Sequence, residues 1–226
     1  MQTPVLSTIL GHLDTITDFL RSDLSPTRDY PIVIHKCDKY PEKYIMFNSE
    51  QLSRQDQLKN LIAEAAREGC IEVWDYSAAN VAILAANGVV ARYLPLRCSE
   101  SYLSRLRAYR AEGQMYDFGF CGAISRRRAA FINAFTIKGV RVHIVKSFGE
   151  ERDRELAKCR VLLNFHYADD YKIFESARCE PWVTIGVPVI SEHSIDNDPR
   201  CINLSRYEFV NKSLEFIKTL DTSHTA

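Results

Sequence analysis

The chain has 226 residues, of which 46% are hydrophobic and 26% are charged, and its 29 basic residues balance its 29 acidic ones. That length suits one large domain or two small α/β lobes, and the composition is ordinary for a globular enzyme. A net charge of zero gives no support to a nucleic-acid or membrane-surface partner.

The seven cysteines are spread along the chain without a Cys-x-x-Cys pair or any clustered metal-ligand spacing, so we expect reduced thiols. The N-terminus lacks the basic region and cleavage site of a signal peptide. No run reaches the roughly 18 apolar residues that a membrane span needs. These features predict a cytoplasmic protein that does not bind a membrane.

The first half of the chain alternates helical and strand-like patterns. Apolar residues recur at helical spacing over residues 5–20, which predicts an amphipathic helix. The elements expected after it are a strand at 31–35, a strand at 44–47, a helix at 55–67, a strand at 71–74, a helix at 79–86 and a strand at 89–94. This alternation is typical of a parallel sheet built from βα units.

Residues 97–113 show no clear apolar stripe and are predicted to link two lobes. The alternation then resumes with strands at 116–121, 140–145, 160–165 and 187–191 and helices at 126–138, 150–158 and 172–184. Ser205 and Glu208 form a capping box that predicts a C-terminal helix.

The fold class is therefore α/β, with two Rossmann-like lobes whose parallel sheets face a cleft and with the terminal helices packed on them. The predicted boundaries are 1–96 for the first lobe, 97–113 for the linker, 114–204 for the second lobe and 205–226 for the C-terminal helix and tail.

A glycine turn follows the first strand of the second lobe. In FGFCGAISRRR, Gly122 comes directly after the strand, Ser125 takes the N-cap position, and three arginines fill the first helical turn. Cations oppose the helix dipole there, so an anion such as a diphosphate would explain them. The alternative is a solvated basic face with one arginine paired to an acid.

Polar residues also crowd the loop and helix after the third strand of this lobe, where Asn164, His166 and Tyr167 precede a helix with Glu175 and Arg178. Ligands bind at the carboxyl ends of strands in open α/β sheets. A carboxylate there can accept hydrogen bonds from sugar hydroxyls and a guanidinium can hold phosphate. Alternatively, Glu175 and Arg178 pair with each other, and His166 is structural.

The run FESARCEPWVTIGVPVISE resembles the donor-binding half of GT-B glycosyltransferases, in which a helix with a glutamate leads through Gly-x-Pro-Val-Ile into the last strand. The resemblance covers roughly residues 116–192. It implies a nucleotide-diphosphate sugar as co-substrate, with no other cofactor and no metal. It also implies that Glu175 or Glu180 contacts the donor and that Arg126 and Arg127 hold the diphosphate. The donor-binding residues expected are Gly122, Ser125, Arg126, Arg127, Gly149, Asn164, His166, Tyr167, Glu175 and Arg178.

In GT-B enzymes the other lobe receives the acceptor, so we expect a general base at its strand ends, Glu50 or Asp75. The alternative is that both carboxylates cap the helices that follow. Asp196, Asn197 and Asp198 resemble a metal motif, but their turn composition predicts a turn instead.

The resulting expectation is a metal-independent glycosyltransferase acting on an acceptor glycan, lipid-linked sugar, metabolite or modified nucleobase. Two alternatives stay open: a non-catalytic nucleotide-sugar-binding module or subunit of a larger transferase, and another α/β enzyme of nucleotide or sugar-phosphate metabolism. The donor sugar, the stereochemical outcome and whether the chain forms a homo-oligomer are not predicted.

Overall fold

The computed structural model describes residues 5–6, 16, 18–20, 30–35 and 37–222. The chain divides into two compact units. Unit 1 contains Met1–Tyr102 and Asp170–Pro181, and unit 2 contains Leu103–Asp169 and Trp182–Ala226.

Most elements follow one another in the alternating order that the sequence predicts; the strands Val5–Leu6 and Ile202–Leu204 and the helix Glu100–Ala111 are not among those predicted. In chain order they are β1 (Val5–Leu6), β2 (Ile32–Ile34), β3 (Tyr44–Asn48), α1 (Gln55–Ala65), β4 (Cys70–Asp75), α2 (Ala78–Ala86), β5 (Ala91–Tyr93), α3 (Glu100–Ala111), β6 (Tyr116–Cys121), α4 (Arg126–Ile137), β7 (Val142–Val145), α5 (Gly149–Ala157), β8 (Cys159–Asn164), α6 (Ser176–Thr184), β9 (Val189–Glu192), β10 (Ile202–Leu204) and α7 (Phe209–Thr222).

Unit 1 is built on a parallel sheet with the strand order β1-β2-β3-β4-β5. Both of its faces are buried, as continuous apolar runs in parallel strands require. One face packs against the helical residues Ile16, Phe19 and Leu20 through Ile32, Ile34, Ile45, Phe47 and Trp74. The opposite face packs against α1 and α2 through Val33, Tyr44, Met46, Val73, Leu58, Leu61 and Leu84.

The predicted helix over residues 5–20 is wrong at its start. Val5 and Leu6 form β1, which pairs in parallel with β2, whereas Ile16 and residues 18–20 are helical. The remainder of that segment lies outside the described residues. Pairing with a neighbouring strand overrides the helical spacing of Val5 and Leu6, because strand formation depends on tertiary context.

Unit 2 is built on a second parallel sheet, with the order β10-β9-β8-β6-β7. Counted from β6, this is the doubly wound order 2-1-3-4-5, and the strand order reverses between β6 and β8. The expectation of an α/β chain with two parallel sheets is therefore confirmed.

Aromatic packing fixes the centre of the unit 2 sheet. The rings of Phe120 on β6 and Phe165, directly after β8, stack at 4.3 Å, and Phe131 of α4 stacks on Phe165 at 5.2 Å. Gly119 of β6 lies so close to β8 that a Cβ atom there would be 2.5 Å from the Cys159 sulfur. The Phe120–Phe165 stack thus holds the carboxyl ends of β6 and β8 together, and the Gly119 contact brings the two strands close at the amino end of β8.

The segment predicted as a linker contains a helix, α3. The buried residues Tyr102, Leu106 and Tyr109 recur at helical spacing, with Leu103 beside them. Tyrosines form half of this apolar stripe, so a search for aliphatic residues misses it. Arg110 of α3 also donates to the backbone oxygens of Ala157 and Cys159.

Residues 170–181 belong to unit 1, although their position in the sequence predicted the second lobe. The loop after β3 holds this segment. Ser53 donates to the Asp170 backbone oxygen at 2.8 Å, and the Ile173 backbone N–H donates to Gln51 Oε1 at 3.0 Å. Arg54 donates to the Tyr171 hydroxyl at 2.7 Å. These contacts link residues more than 115 positions apart, which local sequence patterns do not reveal.

The C-terminal helix α7 begins at Phe209, one turn later than the capping box predicts, and Ser205 donates instead to the side chain of Glu208 at 2.5 Å. Asp196, Asn197 and Asp198 lie in a turn region, where Asp198 pairs with Arg200. In the part of the chain that the structure describes, no helix is both long and apolar enough to cross a membrane.

Candidate functional site

The carboxyl edge of the unit 2 sheet brings three loops together. Strands β8, β6 and β7 are neighbours, so the segments after them, residues 165–169, 122–126 and 146–149, share one edge. In a doubly wound sheet the ligand crevice lies at this edge, where the strand order reverses. This edge is the candidate anion site of unit 2.

The turn after β6 has the geometry that its sequence predicts. Gly122 has a φ of 134°, a conformation that residues with a Cβ rarely adopt. Ser125 is the N-cap of α4: its hydroxyl oxygen accepts from the Arg128 N–H at 3.1 Å and donates to the Tyr167 backbone oxygen at 2.5 Å. The turn is thereby fixed to the loop after β8.

Arg127 is occupied by acids of its own unit, as the alternative interpretation of the basic turn predicts. Its guanidinium forms two hydrogen bonds to the Glu192 carboxylate, one of them at 2.7 Å, and donates to Asp169 at 2.7 Å. Burial opposes the charge, but these carboxylates outweigh it and raise the pKa of Arg127. A role for Arg127 in holding a diphosphate does not fit these contacts.

Arg128 also supports the fold. It is buried and donates to the backbone oxygens of Phe165 and Ala123 at 3.1 and 2.9 Å. Its guanidinium lies 5.1 Å from the centre of the Phe120 ring and 5.4 Å from that of Tyr167. It therefore ties the start of α4 to the strand ends.

Arg126 is the arginine of this turn that stays available. It is exposed at the first position of α4 and has no partner among the described residues. Lys146, directly after β7, is also exposed and without a partner in the described part of the chain. Sequence reasoning missed Lys146, although a cation directly after a predicted strand is a recognisable signal.

The two polar residues at the end of β8 have structural partners. Asn164 is buried and donates to the Ser191 hydroxyl at 3.0 Å. His166 is 5% exposed, its backbone N–H donates to Glu192 at 3.1 Å, and its Nε2 lies 3.0 Å from the His193 backbone oxygen. These contacts favour the structural interpretation of His166.

Two other predicted donor residues lie at the same edge. Gly149 begins α5 with a φ of 60° and follows Phe148, whose side chain is 56% exposed. Tyr167 is 38% exposed, and Ile124 in the β6 turn is 43% exposed. The edge thus offers apolar surface beside Arg126.

Glu175 and Arg178 belong to unit 1, as does Glu180. Gln51 donates to Glu175 at 2.7 Å, and Arg178 lies 3.7 Å from the Glu175 carboxylate. The structure therefore contains, within unit 1, the ion pair that the sequence left as an alternative.

In unit 1, Asp75 is fully buried at the end of β4. One carboxylate oxygen accepts from the Ser77 N–H at 2.8 Å and from Asn80 at 3.1 Å, and the other accepts from Asn48 at 2.6 Å. A group without solvent access cannot take a proton from an acceptor substrate. The structural alternative fits Asp75, which holds the start of α2 and the loop after β3.

Glu50 is accessible, unlike Asp75, and lines a cleft of about 280 Å³ beside α1. His35, directly after β2, lines the same cleft, and its Nδ1 lies 3.6 Å from the Glu50 carboxylate. His35 Nε2 has no partner among the described residues. The cleft is therefore lined by an imidazole and a carboxylate that lie side by side.

His35 is a candidate that sequence reasoning missed. Apart from glycines, His35 is the one described residue with a positive φ, 61°. This backbone conformation costs free energy and is concentrated at functional sites. Its position at the end of the predicted strand PIVIH was a usable signal.

Known relatives of the chain are viral proteins without an assigned function. The chain is 31% identical over 185 residues to "Uncharacterized protein L140" of Acanthamoeba polyphaga mimivirus, covering 79% of this chain and 57% of that protein. It is 35% identical over 161 residues to "Uncharacterized protein L137" of the same virus, covering 69% of this chain and 21% of that protein. The chain thus spans less than two thirds of each relative. No family model matches it, and no solved structure matches it significantly.

Proposed function

We propose that the chain is a glycosyltransferase that moves a sugar from a nucleotide-diphosphate donor to an acceptor hydroxyl. Unit 2 would bind the donor, and unit 1 would bind the acceptor and supply the base. The observation that carries this proposal is Arg126 at the first turn of α4, which is exposed and has no partner in the described part of the chain. It comes directly after the Gly122 turn, at the point where the strand order reverses.

The donor assignment follows from the charge at the unit 2 edge. Free backbone N–H groups at the start of a helix attract phosphate oxygens, and a guanidinium can bind two of those oxygens at once. Arg127 and Arg128 are occupied by protein acceptors, so Arg126, with Lys146 as a second cation, supplies the charge. The exposed rings of Phe148 and Tyr167 can stack on a nucleobase.

The base assignment follows from the pair in unit 1. His35 Nε2 takes the proton of the acceptor hydroxyl, and Glu50 orients the imidazole and stabilises its cationic form. The acceptor oxygen bonds to the anomeric carbon as the bond from that carbon to the phosphate oxygen breaks. The diphosphate leaves with the bonding electron pair, and Arg126 stabilises the negative charge that develops on it.

The test is a titration with UDP, GDP, ADP, TDP and CMP and their sugar conjugates, for the original chain and for Arg126→Ala. A hydrogen-bonded charge contributes about 1.5–3 kcal/mol, so the variant should bind the preferred nucleotide at least about tenfold more weakly. Arg141→Ala is the matched control, because Arg141 is exposed just before β7, at the opposite edge of the sheet.

Equal weakening in both variants, or no binding by any nucleotide, would contradict the donor assignment. Specific binding without sugar transfer to any acceptor would instead support a non-catalytic nucleotide-sugar-binding module.

A further inference from the structure

We propose that the cleft beside α1 in unit 1 binds a neutral, hydroxyl-rich group about the size of one sugar ring. If the chain is a glycosyltransferase, this group is the acceptor, and in that role the inference rests on the proposed function. Binding itself requires no donor. The acceptor would then be a carbohydrate rather than a nucleobase or an anionic lipid.

The size of the cleft sets the first limit. Its volume of about 280 Å³ lies just below the roughly 300–1,000 Å³ that small-molecule clefts occupy. A single ring fits in such a space, whereas a nucleoside with its phosphates or a lipid chain is too large. A longer glycan would place one terminal residue in the cleft and extend into solvent.

The polar lining of the cleft determines which ligand groups it can bind. The cleft is bordered by two carboxylates, three amides and one imidazole, from Glu50, Glu64, Asn48, Gln57, Asn60 and His35. The Asn48 amide is already bonded to Asp75 and to the backbone of Glu50, so Gln57 and Asn60 supply the amides that can donate to and accept from a ligand. Each carboxylate can accept several hydrogen bonds from hydroxyl groups. A ring with several adjacent hydroxyls can satisfy such a lining.

The helix presents part of this lining along one side. Gln57, Asn60 and Glu64 are three and four residues apart on α1, so their side chains share one face. Leu61 and Ala63 complete the border with apolar surface. A sugar ring has hydroxyl edges and an apolar C–H face, and a border of both kinds suits it.

The charge of the lining argues against anionic ligands. No lysine or arginine borders the cleft in the described part of the chain, and the Glu50 carboxylate repels phosphate or carboxylate groups. Arg67 pairs with Glu64 at 2.9 Å but does not border the cleft. A sugar phosphate should therefore bind less tightly than the corresponding neutral sugar.

Saturation-transfer NMR on the full chain, without nucleotide, tests this inference. The probes are the methyl glycosides of glucose, galactose, mannose, xylose, fucose and N-acetylglucosamine, together with glucose 6-phosphate and mannose 6-phosphate. At least one neutral glycoside should give saturation transfer, and the sugar phosphates should bind at least fivefold more weakly.

The matched variants are Gln57→Ala/Asn60→Ala and Gln55→Ala. Gln55 lies on α1 and is exposed but does not border the cleft. The double variant should weaken glycoside binding at least fivefold, and Gln55→Ala should leave it unchanged. Circular dichroism of each variant verifies that α1 is folded.

Three results would overturn the inference: no neutral glycoside binds, binding is equal in the double variant, or the sugar phosphates bind more tightly. Its failure is distinguishable from failure of the proposed function. Glycoside binding without transfer would refute the transferase, whereas transfer to a non-carbohydrate acceptor would refute only this assignment of the cleft.

Discussion

Three consecutive arginines in the first turn of α4 have different roles, and Arg127 is the one that pairs with a buried carboxylate. Its side chain and that of Glu192 are 11% and 7% exposed, so they form a buried pair. Removing one member of such a pair leaves an uncompensated charge, which costs about 3–5 kcal/mol. We expect Arg127→Ala to lower the free energy of unfolding by about 3 kcal/mol, as measured by urea denaturation.

Glu192→Gln in the Arg127→Ala background is the control. Neutralising Glu192 removes the buried charge while keeping an oxygen that accepts from the His166 N–H. The double variant should therefore be more stable than Arg127→Ala. Arg126→Ala should change the free energy of unfolding by less than about 0.5 kcal/mol, because Arg126 is exposed. Equal destabilisation by Arg126→Ala and Arg127→Ala would refute the separation of their roles.

Substitution of His35 tests its assignment as the general base. Asparagine tolerates a positive φ better than most residues, so His35→Asn preserves the backbone while removing the base. We expect kcat for transfer to fall about 100-fold or more, with nucleotide affinity unchanged. Steady-state kinetics with the preferred donor provide the measurement. An unchanged kcat would remove His35 from the mechanism.

At the scale of elements, the stability of unit 1 depends on how the loop after β3 holds residues 170–181. Gln51 is 4% exposed, accepts from the Ile173 N–H and donates to Glu175. Gln51→Ala leaves the buried N–H of Ile173 unpaired, which costs about 1–3 kcal/mol. We expect faster amide hydrogen exchange at Ile173 and faster proteolysis of this segment.

Gln57→Ala is the control for this experiment. Gln57 also follows β3, but within the described part of the chain it forms no hydrogen bond with residues 170–181, and its side-chain hydrogen bond is a long one to Asp56. It should leave exchange at Ile173 unchanged. If Gln51→Ala also leaves that exchange unchanged, Gln51 does not hold the segment.

Local patterns predict most of the elements but not which distant segments pack together. Apart from α3, the strands and helices from β2 to β9 follow from apolar periodicity and glycine turns, and the N-cap of Ser125 follows from its sequence context. The helix α3 is missed because tyrosines form half of its buried stripe. Residues 170–181 are assigned to the wrong lobe because they join unit 1 through contacts with the distant residues 51–54.

At the candidate site, too, local sequence patterns reveal some features, whereas contacts with distant residues decide the others. Gly122 and Arg126 are recognisable from a glycine turn followed by cations at a helix start. Their sequence does not distinguish the exposed Arg126 from the paired Arg127, because Glu192 lies 65 residues away. Likewise, Asp75 and Glu50 both follow strands, and only their burial separates a structural carboxylate from an accessible one.

At the scale of the whole molecule, each unit contains a buried side chain whose raised pKa destabilises the fold at high pH. Burial raises the pKa of the Cys159 thiol in unit 2 from 9.0 to about 12. Burial, together with the nearby Cys70, raises the pKa of the Tyr44 hydroxyl in unit 1 from 10.0 to about 12. Both groups therefore lose their protons at a lower pH in the unfolded chain than in the folded chain.

The sign of the effect follows from proton binding. Between pH 9 and 12 the unfolded chain has released the Cys159 proton while the folded chain retains it, so unfolding becomes more favourable as the pH rises. The Tyr44 hydroxyl acts in the same direction between pH 10 and 12. Each group lowers the free energy of unfolding by at most about 1.4 kcal/mol per pH unit within its range. Below pH 9 neither group changes the stability.

The two tryptophans allow each unit to be followed separately, because Trp74 lies in unit 1 and Trp182 in unit 2. In the Trp74→Phe variant the fluorescence of Trp182 reports on unit 2. We expect the free energy of unfolding measured by urea denaturation of this variant to fall from pH 9 to 12. Adding Cys159→Ala should flatten that dependence, since the ionisable thiol is gone. In the Trp182→Phe variant the fluorescence of Trp74 reports on unit 1. Adding Tyr44→Phe should flatten the pH dependence of its free energy of unfolding between pH 10 and 12. If neither substitution alters the slope of stability against pH, the buried thiol and hydroxyl are not the groups that set the alkaline limit of the fold.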